Sequence, residues 1–356
     1  MREKSFRKSP TKGFVPLHYS PIQIMHTDYS KVNNLLLAYP ERFYNEYESL
    51  TSFFDSLIDA IPNSIQLWVI CNNQSSIEKL KHKFHYKKIN PIGIKGWDEI
   101  WLRDCIGLKR GKEIVKPYYH PNYCEMAGPG FYNYYYKINK LSKIIIKECI
   151  SEKIVNLPLK LDGGNFVNNG TIAFLTDKVV ADNRELSKSE ITAIIKDFTG
   201  LQSVILPRSS NDSVGHLDSL LAFMSHNKAC ISNYPSLPFL KQDIELLYKT
   251  RTILEEEKIE IFEIHDRPID EAVTCNCYLK NKKACFSTAR GNYLNFLRLN
   301  DTILLPEYTL PTQKETKYYN SINKEILENQ GFQVISINCD QLSKKGGSLH
   351  CISYTF

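Results

Sequence analysis

At 356 residues, with 42% hydrophobic and 24% charged residues, the chain can bury two or three ordinary domain cores or one large closed architecture. It has no apolar run near the ~20 residues of a membrane span. Its net charge of +6 is modest, and the densest basic segment, residues 77–88, is typical of a solvated helix face. We therefore expect neither a membrane nor a nucleic acid as a partner.

The first fifteen residues are basic and lack the apolar core of a secretory signal. We interpret residues 1–27 as an N-terminal arm and residues 28–356 as a single domain. Ten cysteines without an export signal favour reduced thiols and a cytoplasmic location. The pair Cys275 and Cys277 alone is a weak metal pattern, so we expect no metal site.

The first predicted elements are a strand within 28–40, a helix within 44–61 and a strand within 64–72. Later segments follow a fuller order: two strands in a hairpin, a helix and a third strand. In the clearest copy, Asn168-Asn169-Gly170 predicts the hairpin turn, and Ser187 with Glu190 has the spacing of a helix capping box. The four full copies cover residues 101–159, 162–206, 215–264 and 291–338.

The first segment lacks one strand of this order, and only the C-terminal stretch GGSLHCISY, residues 346–354, is left to supply it. A repeat array whose last strand completes its first copy buries edges that would otherwise stay open. The sequence therefore predicts five similar units and a C-terminal strand that closes the array.

Polar and glycine residues open the first strand of each predicted unit. If the units surround an axis, these residues meet, and buried charges that meet need a partner or a ligand. The residues are Arg103 and Asp104; Asp162, Gly163, Gly164 and Asn165; His216 and Asp218; Asn292 and Asn295; and His350 and Cys351.

Strand geometry refines this predicted site, because residues two apart on a strand share a face. His216 and Asp218 would then share the pocket, whereas His350 and Cys351 would point to opposite faces. We therefore expect His216 to serve a nucleophilic Cys351. Clustered carboxylates favour a cationic substrate, and a guanidinium matches the pair Asp104 and Asp218.

Five short motifs together resemble those of agmatine deiminases and the related Porphyromonas-type bacterial peptidylarginine deiminases. The resemblance runs from about residue 30 to the C-terminus, and the joint order of the motifs is far more specific than any one of them. The motifs are WLRD (101–104), LDGGN (161–165), GHLD (215–218), NYLNF (292–296) and GGSLHC (346–351).

This resemblance implies an α/β fold of the guanidine-modifying superfamily, a five-bladed α/β propeller of ββαβ units closed by the C-terminal strand. It implies hydrolysis of a guanidine to a ureido group and ammonia without a metal or other cofactor. Cys351 would be the nucleophile and His216 the general acid and base. Asp104 and Asp218 would hold the guanidinium, with Asp162 as a further acidic residue.

Other residues of the motifs are predicted to contact the substrate. Gly347 lets backbone approach closely, and Trp101 belongs either to the core or to a stacking surface for the substrate. The remaining predicted contacts are Arg103, Asn165 and Asn295.

Some features depart from the agmatine deiminase pattern. Asp162 stands where those enzymes usually carry Glu, and Cys105-Ile106-Gly107 replaces a Thr-Gly-Pro. The N-terminal stretch 16–26 matches their Trp- and His-containing segment poorly. These differences leave guanidine chemistry in place and weaken the assignment of agmatine itself.

Three classes of function stay open from the sequence. The first is hydrolysis of agmatine to N-carbamoylputrescine. The second is deimination of peptidyl or free arginine to citrulline, or amidino transfer to an amine, and the third is an inactive propeller that only binds. The Tyr-rich segment 117–136 is expected near the mouth of the pocket, and whether the protein forms a homo-oligomer stays open.

Overall fold

The computed structural model describes residues 24–41, 47–121, 130–150, 153–209, 212, 214–271 and 288–356. The helices in these ranges are α1 (Thr51–Ala60), α2 (Gln74–Lys83), α3 (Leu102–Ile106), α4 (Gly130–Ile145), α5 (Lys178–Asp182), α6 (Lys188–Thr199), α7 (Lys241–Glu256), α8 (Gln313–Asn329) and α9 (Asp340–Ser343). A π-helical turn, Ile146–Ile150, extends α4.

The strands of the described residues are short and evenly distributed along the chain. They are β1 (Asn34–Ala38), β2 (Gln66–Cys71), β3 (Ile89–Gly93), β4 (Leu108–Arg110), β5 (Glu113–Tyr118), β6 (Lys153–Lys160), β7 (Val167–Asn168), β8 (Ile172–Thr176), β9 (Gln202–Leu206), β10 (Leu221–Ser225), β11 (Lys228–Asn233), β12 (Glu260–His265), β13 (Leu297–Leu299), β14 (Thr302–Glu307), β15 (Gln333–Asn338) and β16 (Tyr354–Thr355).

Within the described residues these strands form five mixed sheets of one design. In four of them a short first strand pairs antiparallel with a second, a helix follows, and a third strand pairs parallel with the second. The orders are β4-β5-β6, β7-β8-β9, β10-β11-β12 and β13-β14-β15. The protein therefore has the α/β architecture of ββαβ units that the repeated pattern predicts.

The fifth sheet joins the two ends of the chain. Its order is β16-β1-β2-β3, and Leu35 of β1 faces Thr355 of β16 in an antiparallel pair. The predicted C-terminal strand is confirmed, although it is only Tyr354–Thr355 and begins after Cys351. The additional strand β3 follows α2 in the chain. The basic residues of α2 are exposed, as predicted for a solvated helix in this region.

Local sequence rules account for the elements. The capping box of Ser187 and Glu190 starts α6, and Gly200 ends the helix in a left-handed conformation with φ of +79°. Ile191 and Ile195 of this helix are fully buried in one apolar cluster with Ala173 of β8. In this way α6 covers the apolar face of its own sheet.

Hydrogen bonds link sheets that follow one another in the chain. The side chain of Asn169 donates to the carbonyl of His226 at 3.0 Å, and Arg298 donates to the carbonyl of Met224 at 2.7 Å. Asn300 donates to the carbonyl of Val32 at 2.9 Å, which ties the β13–β14 turn to the first sheet. These bonds therefore connect the sheet of β7 to that of β10, the sheet of β10 to that of β13, and the sheet of β13 to the first sheet.

Three further predictions concern membrane spans, the segments at the N-terminus and in the Tyr-rich loop, and the cysteines. No helix of the described part has both the length and the apolar character that a bilayer crossing requires. The arm at 1–23 and most of the Tyr-rich loop, at 122–129, lie outside the described residues, as do Cys275 and Cys277. The six cysteines within the described ranges are free thiols.

Candidate active site

Short turns, rather than strands, carry the predicted catalytic residues. Asp104 lies in α3, and Asp162 directly precedes the 3-10 turn Gly163–Asn165. His216 precedes the 3-10 turn Leu217–Ser219, which contains Asp218. The strand-face argument made from the sequence is therefore wrong, because these residues lie in a short helix and in turns, where residues two apart do not share a face as they do on a strand.

These turns converge on the backbone of Gly164. A Cβ atom on this glycine would lie 2.8 Å from both Asp104 Oδ1 and His216 Nδ1, and 3.1 Å from Asp218 Oδ2. The Gly164 amide donates to Asp104 Oδ1 at 2.9 Å. Only a glycine leaves room for three charged groups around one point of the backbone.

A first chain of charged groups, the His216 network, consists of Asp104, His216, Asp162 and Lys178. His216 Nδ1 lies 3.5 Å from Asp104 Oδ1, and Nε2 lies 3.0 Å from Asp162 Oδ2. Lys178 Nζ lies 2.9 Å from Asp162 Oδ2 and also bonds Asp182. Asp162 and Lys178 are almost completely buried, with 1% of each side chain exposed, so the network is closed to solvent.

Electrostatics in the His216 network favours a protonated imidazole. Burial alone would lower the pKa of His216, but Asp104 and Asp162 outweigh it and raise the pKa to about 9. Burial alone would raise the pKa of Asp162, but Lys178 and His216 hold it below its usual range. Burial raises the pKa of Asp104 to about 6, against the opposing effect of His216.

A second chain, the His350 network, consists of Asp218, His350, Asp28 and Arg103. His350 Nδ1 lies 2.7 Å from Asp218 Oδ2, and Nε2 lies 3.1 Å from Asp28 Oδ1. The Arg103 guanidinium lies 3.7 Å from Asp28 Oδ1. Although burial and Arg103 would lower the pKa of His350, Asp28 and Asp218 raise it above its usual value.

Cys351 lies in the turn 349–352, next to His350. Its Sγ lies 3.3 Å from Asn295 Oδ1 and 4.0 Å from Asp218 Oδ2. Burial, followed by the negative charges of Asp218 and Asp104, raises the pKa of the thiol well above its usual value. Burial and these charges therefore favour the protonated thiol of Cys351.

The residues predicted to contact substrate occupy different surroundings. Asn295 accepts from the Cys351 backbone at 3.3 Å and donates to the Asp218 carbonyl at 3.2 Å, so it joins the turns that hold these two residues. Trp101 packs over Gly347, since a Cβ there would lie 2.3 Å from the indole. Asn165 is buried and accepts from the Thr176 amide at 2.9 Å. A direct contact of any of them with substrate stays a prediction.

Arg103 contributes through its main chain as well as its side chain. Its amide donates to the Cys351 carbonyl at 3.1 Å, and its own carbonyl lies against Gly163, where a Cβ would approach to 2.0 Å. The Arg103 backbone thus connects the segment that holds Asp104 to the turn that holds Cys351. A contact of the Arg103 side chain with substrate stays a prediction.

Sequence reasoning missed Lys178 and Asp28, the residues that flank Asp162 and His350. Asp28 is separated from His350 by 322 residues, and no motif marks either residue. His350 itself was expected to face away from Cys351, yet the turn brings both His350 and Cys351 to the Asp218 carboxylate. Finding these two residues requires knowledge of which charged groups, far apart in the sequence, come into contact after folding.

Two narrow cavities adjoin the His350 network and share Asp28, Arg103 and Thr355 as walls. One is also lined by β10 and β13, and the other by β4, β7 and β16. Together they touch the first strand of every sheet in the described residues. Among these residues, no three His, Cys, Asp or Glu side chains are grouped to hold a metal ion.

The fold and this arrangement of Cys, His and Asp define the class of protein. The sequence model of the Porphyromonas-type peptidyl-arginine deiminase family matches residues 24–356, and the chain belongs to that family. A putative agmatine deiminase of Legionella pneumophila (strain Paris) is 23% identical over 60% of this chain and 60% of its own length. The agmatine deiminase of Pseudomonas fluorescens is 22% identical over 54% of this chain and 56% of its own length.

Solved structures share the fold over nearly the whole chain. The agmatine deiminase of C. jejuni has a TM-score of 0.74 at 17% identity, covering 96% of this chain and 98% of its own. A putative arginine deiminase from Porphyromonas gingivalis has a TM-score of 0.71 at 18% identity, covering 94% and 98%. The α/β fold is therefore that of these structures.

Proposed function

We propose that this protein hydrolyses the guanidinium group of a small substrate, with agmatine giving N-carbamoylputrescine and ammonia. The observation that carries the proposal is the convergence on Gly164 of two buried carboxylates and an imidazole, with a thiol at 4.0 Å from one carboxylate. The names of the relatives support agmatine as the substrate.

The carboxylates would bind the guanidinium. Asp104 and Asp218 approach the same point of backbone, so their charges repel, and a planar cation with paired N–H donors offsets that repulsion. A bound guanidinium also opposes the effects that raise the pKa of Asp104 to about 6. Binding and ionisation of the site would therefore reinforce each other.

The same cation would activate the nucleophile. The negative charges of Asp218 and Asp104 contribute to the high pKa of the Cys351 thiol. A guanidinium placed between these carboxylates cancels that contribution and favours the thiolate. Cys351 would thus lose its proton, to solvent, only when a substrate is bound.

The chemical steps then follow from the protonated state of His216. The Cys351 thiolate forms a C–S bond to the guanidinium carbon, and His216 gives a proton to the departing nitrogen as its C–N bond breaks. Ammonia leaves and an amidino thioether remains on Cys351. Neutral His216 then takes a proton from water as the water oxygen bonds the carbon. C–S cleavage, with loss of the remaining hydroxyl proton to solvent, releases the ureido product and the thiolate. None of these steps uses a metal or organic cofactor.

Asp162 would control the proton of His216. Its carboxylate bonds Nε2, which leaves Nδ1 directed at Gly164 and the carboxylates around it. Lys178 compensates the buried charge of Asp162, so this carboxylate stays ionised while His216 gains and loses its proton. Asp in place of the Glu usual in agmatine deiminases would therefore still orient the imidazole.

The overall arrangement we propose is a five-bladed α/β propeller around the site. Its support is the pair of cavities, whose walls include residues from the first strand of each of the five sheets. First strands would then surround one axis, and the β16–β1 pairing would close the ring.

A second candidate is deimination of arginine in peptides or as the free amino acid. It is favoured by the family model, which describes a peptidyl-arginine deiminase. The same Cys351 chemistry would serve it, and the two candidates differ only in how the pocket receives the far end of the substrate.

The test compares agmatine, free arginine and an arginine-containing peptide as substrates, with ammonia and the ureido product measured for the wild type and for Cys351→Ala. We expect turnover of agmatine that disappears in the variant. Preferred turnover of the peptide would establish the second candidate. Transfer of the amidino group to an added amine would identify an amidinotransferase, and binding without product would indicate an inactive module.

A further inference from the structure

The second histidine of the site, His350, has a carboxylate on each ring nitrogen. Asp218 lies 2.7 Å from Nδ1, and Asp28 lies 3.1 Å from Nε2. A neutral imidazole has one N–H and one acceptor nitrogen, so it can donate to only one of two carboxylates. The imidazolium donates to both, and it alone satisfies this geometry while both carboxylates are ionised.

The surroundings of His350 hold this arrangement in place. The ring is 11% exposed, and the Asp28 side chain is 24% exposed at the wall of both cavities. Among the charged groups around His350, Arg103 lowers its pKa, and Asp28 and Asp218 raise it. His26 faces Asp28, but burial lowers the pKa of His26 to about 4, which favours its neutral form.

We propose that His350 is a positioning residue for Asp218: as an imidazolium held by Asp28, it fixes the carboxylate that receives the guanidinium. The inference rests on the proposed role of Asp218 in guanidine binding. His350 takes no proton from Cys351 in this arrangement, because both of its nitrogens donate to carboxylates. Asp28, from the N-terminal end of the domain, thereby becomes part of a site otherwise built from distant turns.

The protonation of His350 can be measured without any catalytic turnover. We would record ¹⁵N NMR spectra of histidine-labelled protein at pH 7.5 and assign His350 by its loss in His350→Gln. The expected result is a ring with both nitrogens protonated. In Asp28→Asn the protonation midpoint should move to lower pH, because Asp28 helps to raise the pKa of His350. A neutral His350 ring in the wild type would overturn the inference.

Two substitutions separate positioning from mere packing. His350→Asn places an amide N–H where Nδ1 stands and keeps the bond to Asp218, whereas His350→Gln reaches toward Asp28 and loses the Asp218 bond. Loss of a hydrogen bond to a charged group corresponds to a change of about 10- to 100-fold in an equilibrium or rate constant. We expect kcat/KM to fall about 10- to 100-fold in His350→Gln, mainly through KM, and about threefold in His350→Asn.

The matched control is His85→Gln, which replaces an exposed histidine of the α2 region. Melting temperatures of all variants report folding. If His350 only packed the turn, His350→Gln would lower the melting temperature while folded enzyme kept its KM and kcat, and that result would overturn the inference. Equal losses in His350→Gln and His350→Asn would overturn it as well.

Failure of the proposed function would look different. If the wild type turned over no guanidine, agmatine binding would be measured by calorimetry in Cys351→Ala and in Cys351→Ala combined with His350→Gln. Weaker binding in the double variant, together with a doubly protonated His350 in the wild type, would support positioning of Asp218 in a binding site. Equal binding in the two proteins, or no binding to either, would overturn the inference.

Discussion

The His216 and His350 networks contain the same sequence of chemical groups in different surroundings. Each runs from a carboxylate at Gly164 or near Cys351, through an imidazole, to a second carboxylate and then to a cation. In the His216 network the cation Lys178 is 2.9 Å from its carboxylate and 1% exposed. In the His350 network Arg103 is 3.7 Å from Asp28, which is 24% exposed.

This difference shows how burial assigns roles to similar residues. In the closed network every charge must be compensated within the protein. A proton gained or lost at His216 therefore strongly changes the electrostatic energy of the neighbouring charged groups. In the open network both ring nitrogens of His350 lie within 3.1 Å of a carboxylate oxygen, so the ring can stay charged throughout, whereas His216 Nδ1 lies 3.5 Å from Asp104 Oδ1. One histidine is thus suited to move a proton and the other to hold a carboxylate.

The largest expected effect separates the two histidines by activity. His216→Asn removes the proposed acid and base, and we expect kcat to fall by about 10³-fold, within the range of general acid and base catalysis. His350→Asn should lower kcat/KM by only about threefold. Steady-state kinetics on the substrate identified above provides the measurement, and comparable losses in both variants would erase the distinction between the networks.

The cations at the ends of the networks should differ in their effect on stability. Lys178→Met leaves Asp162 and Asp182 buried without their shared cation, which should lower the free energy of unfolding by about 3 kcal/mol. Arg103→Met breaks a longer and more exposed contact, so about 1 kcal/mol is expected. Urea denaturation measures both, and a larger loss for Arg103→Met would contradict the ranking by burial.

The reactivity of Cys351 tests the link between the His350 network and the nucleophile. Asp218→Asn removes a negative charge that raises the pKa of the thiol, so alkylation of Cys351 by iodoacetamide at pH 8 should accelerate on the order of tenfold. Turnover should be lost in the same variant. The other unpaired cysteines of the described ranges are buried, and mass spectrometry of the labelled peptide identifies the site. An unchanged or slower alkylation would refute this coupling.

The pH dependence of kcat/KM should report the His216 network. Protonation of Asp104 around its pKa of about 6 removes a guanidinium ligand, so activity falls as pH drops through this value. Loss of the His216 proton around its pKa of about 9 removes the acid for ammonia release, so activity falls again at higher pH. In Asp28→Asn, the decline of kcat/KM at high pH should occur at the same pH as in the wild type. A profile that keeps rising above pH 10 would exclude this assignment.

The sequence predicted much of the fold from local signals. The capping box of α6, the hairpin turns and the order of strands and helices all depend on residues close in the chain. The prediction of strands around His216 and Cys351 was wrong, because these residues lie in turns that precede the strands β10 and β16. The added strand β3 was missed as well.

The candidate site was found in part. Asp104, Asp162, His216, Asp218 and Cys351 were named from motif residues and their chemistry, and the structure brings them together. Their catalytic roles remain predictions. Lys178 and Asp28 carry no motif, because their importance depends on which carboxylate or imidazole they reach after folding.

By itself the sequence determined the repeated units, the family resemblance and the residue types needed for guanidine chemistry, since these follow from local periodicity and short motifs. Only the tertiary structure decided that His216 and His350 each lie between two carboxylates, and that Lys178 and Asp28 complete those arrangements. The physical reason is that charge compensation in a buried site depends on distance in space, and residues as far apart as Asp28 and His350 meet only when the C-terminal strand pairs with the first sheet.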